Sequence, residues 1–348
     1  MMFNLQEHQP VVLPAGAPPV LTVVVDTEEE FDWSQPFSRS NTSTTSIAAQ
    51  PLAHQRVFDK HSVVPTYVID WPVVTNPAAV KVLLGLMDEG RCEIGTHLHP
   101  WVSPPHQEEV NTFNSYAGNL PQALEYQKIE MLTDAIEAAF GKRPLVFKAG
   151  RYGVGPHTAD TIARLGYLID ASVVPYTDMR GDGGPNFARH GVNPFWFKAA
   201  GKTLLELPAT AGYAGKLHHM GHKLYPLLQN SNARRLRLPG IASRIGMLER
   251  IKLTPEGYTS QELMHLTQCL LKQGCQYFGL TYHSPSLVPG NTSYVRSQQE
   301  LSSFINVLDQ YVSFFLNQMG GKTLSPTNYL ALAQATLIQL PFNMFVDK

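Results

Sequence analysis

The sequence predicts an α/β protein folded as a distorted (β/α) barrel of about seven strands, with one inserted helical segment. Two observations lead to this prediction. Short β-branched runs alternate along the chain with amphipathic segments of helical length, at the spacing of βα units. No apolar run approaches the length of a membrane span. Alternation of this kind favours a parallel sheet covered by helices over a β-sandwich or a helical bundle.

The predicted elements follow one another from Val20. Val20–Val25 is a β-branched run typical of a buried parallel strand. Further strands are predicted over residues 63–69, 92–96, 145–148, 167–174, 195–198, 204–207 and 276–282. Helices are predicted over residues 76–90, 121–141, 157–165, 260–273, 297–316 and after Pro326. Asn76 and Pro77 supply a cap and a first-turn proline, and Ser297 with Glu300 has the pattern of a capping box.

Composition excludes several classes of protein. The chain has 348 residues, of which 43% are hydrophobic and 16% charged, so it is neither disordered nor fibrous. Its net charge of −1 lacks the basic surplus of a nucleic-acid-binding protein. The three cysteines form no CxxC pair, which favours a reducing compartment. Residues 1–19 do not resemble a signal peptide, so we expect a soluble, cytoplasmic protein.

The organisation expected is an extended lead-in over residues 1–19 and a single barrel domain over 20–348. Residues 212–258 interrupt the alternation and are predicted to be an insertion. Within them, Arg234–Lys252 mixes arginines with Leu and Ile, as in an amphipathic helix. Such a helix could pack on the barrel or lie on an anionic membrane, and the sequence leaves both interpretations open.

Three predicted strands end in residues capable of chemistry. Asp26 and Glu28 follow the first strand, His97 and His99 follow the third, and His283 ends a late strand. In a parallel barrel, the carboxyl ends of the strands meet on one face, where active sites lie. Alternation in extended chain points each pair of residues to the same side. A carboxylate with two histidines is a common ligand set for a divalent metal.

Simpler interpretations of the same residues exist. The acidic run Glu28–Glu30 could be a solvated turn, and His97 or His99 could be a hydrogen-bonded histidine of the core. Trp101 could serve packing alone. The histidines at 218, 219 and 222 lie in the predicted insertion and are best explained as a solvated loop.

Four ordered segments resemble the polysaccharide deacetylase superfamily (carbohydrate esterase family 4). They are Asp-Thr-Glu at 26–28, Glu-Ile-Gly-Thr-His at 93–97, Phe-Lys-Ala-Gly-Arg-Tyr-Gly at 147–153 and Thr-Tyr-His at 281–283. Three longer strings, at 26–33, 95–101 and 283–290, are closer still to a branch named for a lipopolysaccharide-biosynthesis protein. The similarity extends over about residues 20 to 330, and the motifs stand in the order of the family.

The resemblance implies a distorted barrel and metal-dependent hydrolysis of an N-acetyl group on a sugar. Carried over by position, Asp26 is the general base, Glu28 and His97 are metal ligands, and His283 is the general acid. The implied cofactor is a divalent metal, with Zn²⁺ the expected ion. The substrate would be an N-acetylated sugar of a polysaccharide, a lipopolysaccharide or a glycan precursor.

The sequence departs from the family pattern at three positions. Glu28 replaces the usual second aspartate. The usual histidine spacing would place the second ligand at Trp101, and His99 is the nearest substitute. The arginine that orients the base aligns with either Lys148 or Arg151. We favour Arg151, because a planar guanidinium holds a carboxylate better than an ammonium does.

Aromatic residues near these motifs are expected to bind substrate. Trp101 and Tyr152 could pack against a face of the sugar ring. Two other functions remain open at this point: hydrolysis of a small amide or ureide on the same barrel, and glycan binding without catalysis. The altered histidine spacing favours the second of these.

Overall fold

A curled, largely parallel sheet forms the centre of the protein. The computed structural model describes residues 7–14, 16–230, 233 and 235–339. The strands are β1 (Gln9–Pro10), β2 (Val20–Thr27), β3 (Thr66–Ile69), β4 (Glu93–Leu98), β5 (Val146–Ala149), β6 (Ile169–Asp170), β7 (Phe195–Ala199), β8 (Lys202–Glu206), β9 (Ala211–Ala214), β10 (Glu249–Lys252), β11 (Tyr277–His283) and β12 (Lys322–Thr323).

Helices cover the outside of this sheet. They are α1 (Gln50–Ala53), α2 (Trp71–Val74), α3 (Pro77–Asp88), α4 (Gln122–Phe140), α5 (Thr158–Leu165), α6 (Gly221–Leu228), α7 (Leu238–Arg244), α8 (Ser260–Lys272), α9 (Gln298–Asn317) and α10 (Pro326–Gln339). α3 begins as the sequence predicts, with the Asn76 side chain accepting a hydrogen bond from the backbone N–H of Ala78 at 3.0 Å.

The parallel strands follow the order β8-β6-β5-β4-β3-β2-β11. β7 pairs antiparallel with β8, and β1 pairs antiparallel with β7. The predicted fold class, a distorted (β/α) barrel of about seven strands, is therefore confirmed. In the described part of the chain no ladder joins β8 to β11. Thr210 crosses this gap instead, donating its backbone N–H to Gly279 O at 3.0 Å and accepting the Gly279 N–H at Oγ1.

Apolar side chains fill the barrel at the amino ends of its strands. This inner cluster includes residues from six parallel strands, among them Val20, Val68 and Val146. Tyr329 on α10 packs edge-on against Tyr277 at the start of β11, with 5.0 Å between ring centroids. Because this end is packed, the open space inside the barrel lies at the carboxyl ends of the strands.

One strand is shorter than predicted. A strand was expected over residues 167–174, but β6 comprises only Ile169 and Asp170. Beyond it, the backbone N–H of Val173 donates to the buried Glu206 carboxylate at 2.9 Å. The Glu206 side chain thus accepts the hydrogen bond that the backbone of a neighbouring strand would otherwise accept.

The predicted insertion is more varied than a single helix. Helix α7 ends at Arg244, and Glu249–Lys252 forms β10, which pairs antiparallel with β9. The prediction of one helix through Lys252 is therefore wrong, and Arg234, where it would begin, lies outside the described residues. Ile251 is buried in the core, whereas Ile241 and Ile245 are exposed. Packing on the barrel explains only the first of these side chains.

The lead-in contributes one short strand. Gln9 and Pro10 form β1 on the edge of the sheet, while residues 1–6 lie outside the described part. Among the helices described, none combines the length and apolar character needed to cross a bilayer. The cytoplasmic location stays a prediction.

Candidate active site

Four parallel strands bring their polar ends to one cavity of about 920 Å³. Strand register fixes two neighbouring pairs: His283 lies beside Asp26, and His97 lies beside Lys148. Glu28, just past β2, reaches the same cavity. Residues from distant parts of the chain therefore converge because parallel strands end together.

Three ligand atoms converge beside this cavity. Glu28 Oε2 lies 3.3 Å from His97 Nε2 and 3.4 Å from His99 Nε2. These atoms all lie within 4.8 Å of one another, and all three side chains are buried. The shortened spacing His97-x-His99 thus still brings two imidazoles to one carboxylate. Such a set fits one divalent cation.

Hydrogen bonds on the far side of each ring set its tautomer. His97 Nδ1 lies 3.1 Å from the carbonyl oxygen of Lys148, which can only accept, so Nδ1 donates. His99 Nδ1 lies 2.7 Å from Glu29 Oε2. Burial lowers the pKa of both histidines to about 4, so both are neutral near pH 7. Each Nε2 lone pair therefore remains directed towards Glu28.

Glu29 connects the supporting residues behind His99. Its Oε1 accepts the indole N–H of Trp101 at 2.9 Å, and its backbone N–H donates to Asp70 Oδ2 at 2.8 Å. Burial raises the pKa of Glu29 to about 7 and that of Asp70 well above its usual value. Glu29, Asp70 and His99 also lie close enough to be a second ligand set. The hydrogen bonds among these three residues explain why they lie so close together. In this arrangement Glu29 and Asp70 support His99 as a member of the first ligand set.

The structure corrects the expectation for Trp101. Only 1% of its surface is exposed, and it does not line the cavity that contains Asp26. Its ring stacks on His99 with 4.3 Å between centroids, and its N–H is used by Glu29. Trp101 therefore holds a histidine in place and has no free face for a sugar.

Asp26 lies between two cationic groups. Lys148 Nζ donates to Asp26 Oδ1 at 2.5 Å, and His283 Nε2 lies 3.7 Å from Asp26 Oδ2. Burial opposes ionisation of Asp26, but the charges of Lys148 and His283 and the hydrogen bond from Lys148 outweigh it, so its pKa is lowered. Asp26 is therefore a carboxylate at neutral pH.

The structure also corrects the orienting residue. Arg151 donates to Asp182 Oδ2 at 2.7 Å, and its guanidinium lies 4.0 Å from the centre of the Tyr116 ring. Arg151 lines the same cavity as Asp26 but does not bond to the Asp26 carboxylate. Lys148 on β5 points into the barrel and holds the base, whereas Arg151 stands in the turn after β5 with a left-handed φ of 55°. That turn carries its side chain outward.

His283 has a carboxylate partner that the sequence analysis missed. Glu256 Oε2 lies 2.8 Å from His283 Nδ1, and Glu256 Oε1 accepts the backbone N–H of His283 at 3.1 Å. Burial opposes protonation of His283, but Glu256, Glu28 and Asp26 outweigh it and raise its pKa to about 10. His283 is thus an imidazolium at neutral pH. Glu256 falls in the irregular chain after β10, where no strand pattern signals it.

Gly150 permits the close approach of β5 to the ligand set. A Cβ added at this position would lie 2.2 Å from His99 Cδ2 and 2.5 Å from the carbonyl oxygen of Leu98. Only glycine fits without displacing the histidine. The Lys-Ala-Gly-Arg string of the sequence thus serves packing at Gly150 and charge at Lys148.

The structure brings most of the predicted residues together. Those that meet at the cavity or its ligand set are Asp26, Glu28, His97, His99, Arg151, Tyr152 and His283, although Arg151 does not hold the base. Glu29 was visible in the sequence as part of an acidic run, but its role depends on contacts with residues 70 and 101. The histidines at 218, 219 and 222 line neither this cavity nor the ligand set.

Comparison with known proteins gives a result at the level of structure alone. No family model and no curated protein sequence matches the chain. A solved structure described as a polysaccharide deacetylase from Mycobacterium smegmatis aligns with a TM-score of 0.55 and 16% identity, over 95% of this chain and 94% of its own. Another, from Pseudomonas aeruginosa PAO1, aligns with a TM-score of 0.50 and 13% identity, over 93% and 92%.

The chain has the polysaccharide deacetylase fold. The resemblance seen in the sequence is confirmed in this respect. An allantoinase also aligns, with a TM-score of 0.53 and 14% identity over 96% of this chain and 95% of its own. The polysaccharide deacetylase fold is therefore compatible with more than one amide substrate, and the residues in the cavity must distinguish among them.

Proposed function

We propose that the protein is a metal-dependent hydrolase that removes an N-acetyl group from an amino sugar of a glycan. One observation carries the proposal: two neutral histidines and a carboxylate converge within 3.4 Å, beside an ionised Asp26 and a protonated His283. A ligand set, a base and an acid in one cavity are the groups that amide hydrolysis needs. The likeness of fold to polysaccharide deacetylases supports this proposal.

Glu28, His97 and His99 would hold the metal, and Zn²⁺ is one of the divalent ions, with cobalt, nickel and iron, that suit two imidazoles and a carboxylate. Three protein ligands leave coordination positions open, as in catalytic sites. When bound, the ion would polarise the amide carbonyl and lower the pKa of a water. Glu29 would keep His99 oriented through its bond to Nδ1.

Asp26 would accept a proton from the attacking water as general base. Lys148 holds Oδ1, which leaves Oδ2 on the side of His283. His283 would donate its Nε2 proton to the nitrogen of the departing amine, because an amine leaves readily only when protonated. Glu256 fixes the opposite edge of the imidazolium and compensates its charge.

The cavity is better suited to a sugar than to a small ureide. Its volume of about 920 Å³ is near the upper end of the range for ligand pockets, roughly 300–1,000 Å³. Tyr152 lines it together with Trp33 and Tyr294. Trp33 and Tyr294 are each about half exposed. Exposed aromatic faces suit the apolar face of a sugar ring.

The test is metal content and amine release measured on the same preparations. Wild-type protein reconstituted with Zn²⁺ should carry one metal per chain and release an amine from N-acetylated oligosaccharides. Asp26→Asn should keep the metal and lose turnover by about 10²–10⁴-fold. A wild-type protein that binds metal but hydrolyses allantoin rather than sugars would favour the ureide. A protein that binds glycan without releasing an amine would contradict catalysis.

A surface on the inserted segment supports contact with a membrane that carries the substrate. This basic apolar surface consists of the exposed side chains of Lys216, Met220, Lys223, Leu227, Arg235, Leu236, Arg237, Leu238, Ile241, Arg244 and Ile245. Within the described residues none of its five cations has a carboxylate partner. Residues 216–250 contain seven Lys and Arg against one Glu, although the whole chain has a net charge of −1. Cations beside exposed apolar groups are complementary to anionic lipid.

Flotation with vesicles tests this surface. The protein should float with phosphatidylcholine vesicles that contain phosphatidylglycerol and not with phosphatidylcholine alone. Ile241→Ser with Ile245→Ser should abolish flotation. Leu145→Ser with Leu168→Ser, at exposed apolar positions elsewhere, is the matched control and should not. Equal flotation of all three proteins, or none in wild type, would remove the membrane from the proposal.

A further inference from the structure

A second cavity, of about 340 Å³, adjoins the first at His283. Tyr152, His283 and Tyr294 line both cavities, so a ligand in the main cavity can extend into the second one past the proposed general acid. The other walls come from the chain that crosses the gap between β8 and β11 and from residues 252–258. No step of the proposed hydrolysis uses this space.

Lys252, at the end of β10, lines the second cavity. It is only partly exposed, and within the described residues no carboxylate oxygen lies within 4.0 Å of its Nζ. The nearest acid that affects it, Glu256, already holds His283 and Ser286. Lys252 is therefore a sheltered cation whose charge has no close partner.

The electrostatics agree with this geometry. Burial and the neighbouring Arg250 lower the pKa of Lys252. Glu256 opposes this shift without cancelling it, as expected for an ammonium group that is desolvated with no carboxylate in contact. A bound anion would supply that contact.

Hydroxyl groups beside Lys252 have protons available for an anion. Thr210 Oγ1 accepts the N–H of Gly279, and Thr254 Oγ1 accepts the N–H of Glu256. Each hydroxyl therefore uses its oxygen on the backbone and can donate its own proton. Both threonines line the second cavity. One cation with several hydroxyl donors is a typical arrangement for binding an oxyanion.

We infer that the second cavity is a subsite for an anionic group of the substrate, held by Lys252. The substrate would then be an N-acetylated sugar whose neighbouring position or residue carries a carboxylate or a phosphate. This inference rests on the proposed function for the position of the acetyl group, but the subsite itself depends only on Lys252 and its surroundings.

The test separates binding of the anion from catalysis. Binding of glucuronate and of glucose 1-phosphate to the metal-free protein should be measured by titration calorimetry, with glucose as the neutral reference. Wild type should bind one of the two anions more tightly than glucose, by about 10- to 100-fold. Lys252→Met should lose this preference, and Lys252→Arg should retain much of it. Lys198→Met, at an exposed lysine of β7 that lines neither cavity, is the matched control.

A second measurement uses turnover. The kcat/KM for an N-acetylhexosaminuronate or N-acetylhexosamine phosphate should exceed that for the neutral N-acetylhexosamine, and the excess should reside in KM and vanish in Lys252→Met. Lys252→Arg should retain much of this excess. Turnover with no dependence on charge, and no anion binding that requires Lys252, would overturn the subsite and leave the proposed function intact. Anion binding that requires Lys252 in a protein without turnover would uphold the subsite alone.

Discussion

The two sides of the cavity use the same residue type in opposite charge states. On one side, burial lowers the pKa of His97 and His99 to about 4, and their neighbours hold them as neutral ligands. On the other side, Glu256, Glu28 and Asp26 overcome burial and raise the pKa of His283 to about 10. The sequence shows three histidines at strand ends. Because His99 and His283 both have a carboxylate at Nδ1, their charge states follow from the balance between burial and all the charged groups near each ring.

The largest expected effect separates the two sides directly. His97→Ala with His99→Ala should lose the metal altogether, because two of three ligands are removed, and should lose turnover with it. His283→Ala should retain one metal per chain and lose turnover by about 10²–10⁴-fold. Metal content by mass spectrometry and amine release check both. A His283→Ala protein without metal would mean that the two sides are not separate.

The next prediction concerns the partner of the base. In Lys148→Met the main charge that lowers the pKa of Asp26 is gone, so that pKa rises. The acidic limb of the profile of kcat/KM against pH should therefore move to higher pH, with a large loss of rate. Arg151→Met should leave the position of that limb unchanged, because Arg151 pairs with Asp182. The opposite result for these two variants would restore Arg151 as the orienting residue.

A smaller effect is expected behind the ligand set. Glu29→Gln keeps the shape of the side chain but weakens the bond to His99 Nδ1, so metal affinity should fall by about 10- to 100-fold. Competition with a chelator measures this. Glu30→Gln is the control, since Glu30 bonds Ser43 and Thr45 away from the histidines. Equal affinities in the two variants would assign Glu29 to packing alone.

The smallest effect is a shift in pH dependence. In Glu256→Gln the pKa of His283 should fall from about 10, and the alkaline limb of the rate should move to lower pH.

The raised pKa of His283 should also make the stability of the fold depend on pH. Folded His283 keeps a proton that the unfolded chain releases near pH 6.5, so the free energy of unfolding falls as pH rises from about 6.5 to about 10. Denaturant titrations across this range should show a weaker dependence in Glu256→Gln than in wild type.

The sequence predicted the site residues that stand at the ends of regular strands, and it missed the partners that come from irregular chain. Asp26, His97 and His283 stand at the ends of strands with clear β-branched or apolar runs, so their convergence follows from the fold. Arg151 was preferred over Lys148 on its chemistry as a donor, yet the direction of a residue within β5 decided which cation meets Asp26. Trp101 was predicted to face substrate. No sequence pattern reveals that the indole N–H of Trp101 instead donates to Glu29.

The gap between β8 and β11 has a consequence for how specificity could be altered. A complete eighth strand would occupy the place where Thr210 crosses and would leave little room beside His283. Apart from Lys252 on β10 and Thr281 and His283 on β11, the walls of that space are connecting chain, and β2, β4 and β5 contribute none of them. Exchange of residues 207–210 and 253–255, with Glu256 kept as the partner of His283, would therefore give variants with new substrate preferences while β2, β4 and β5 stay as they are.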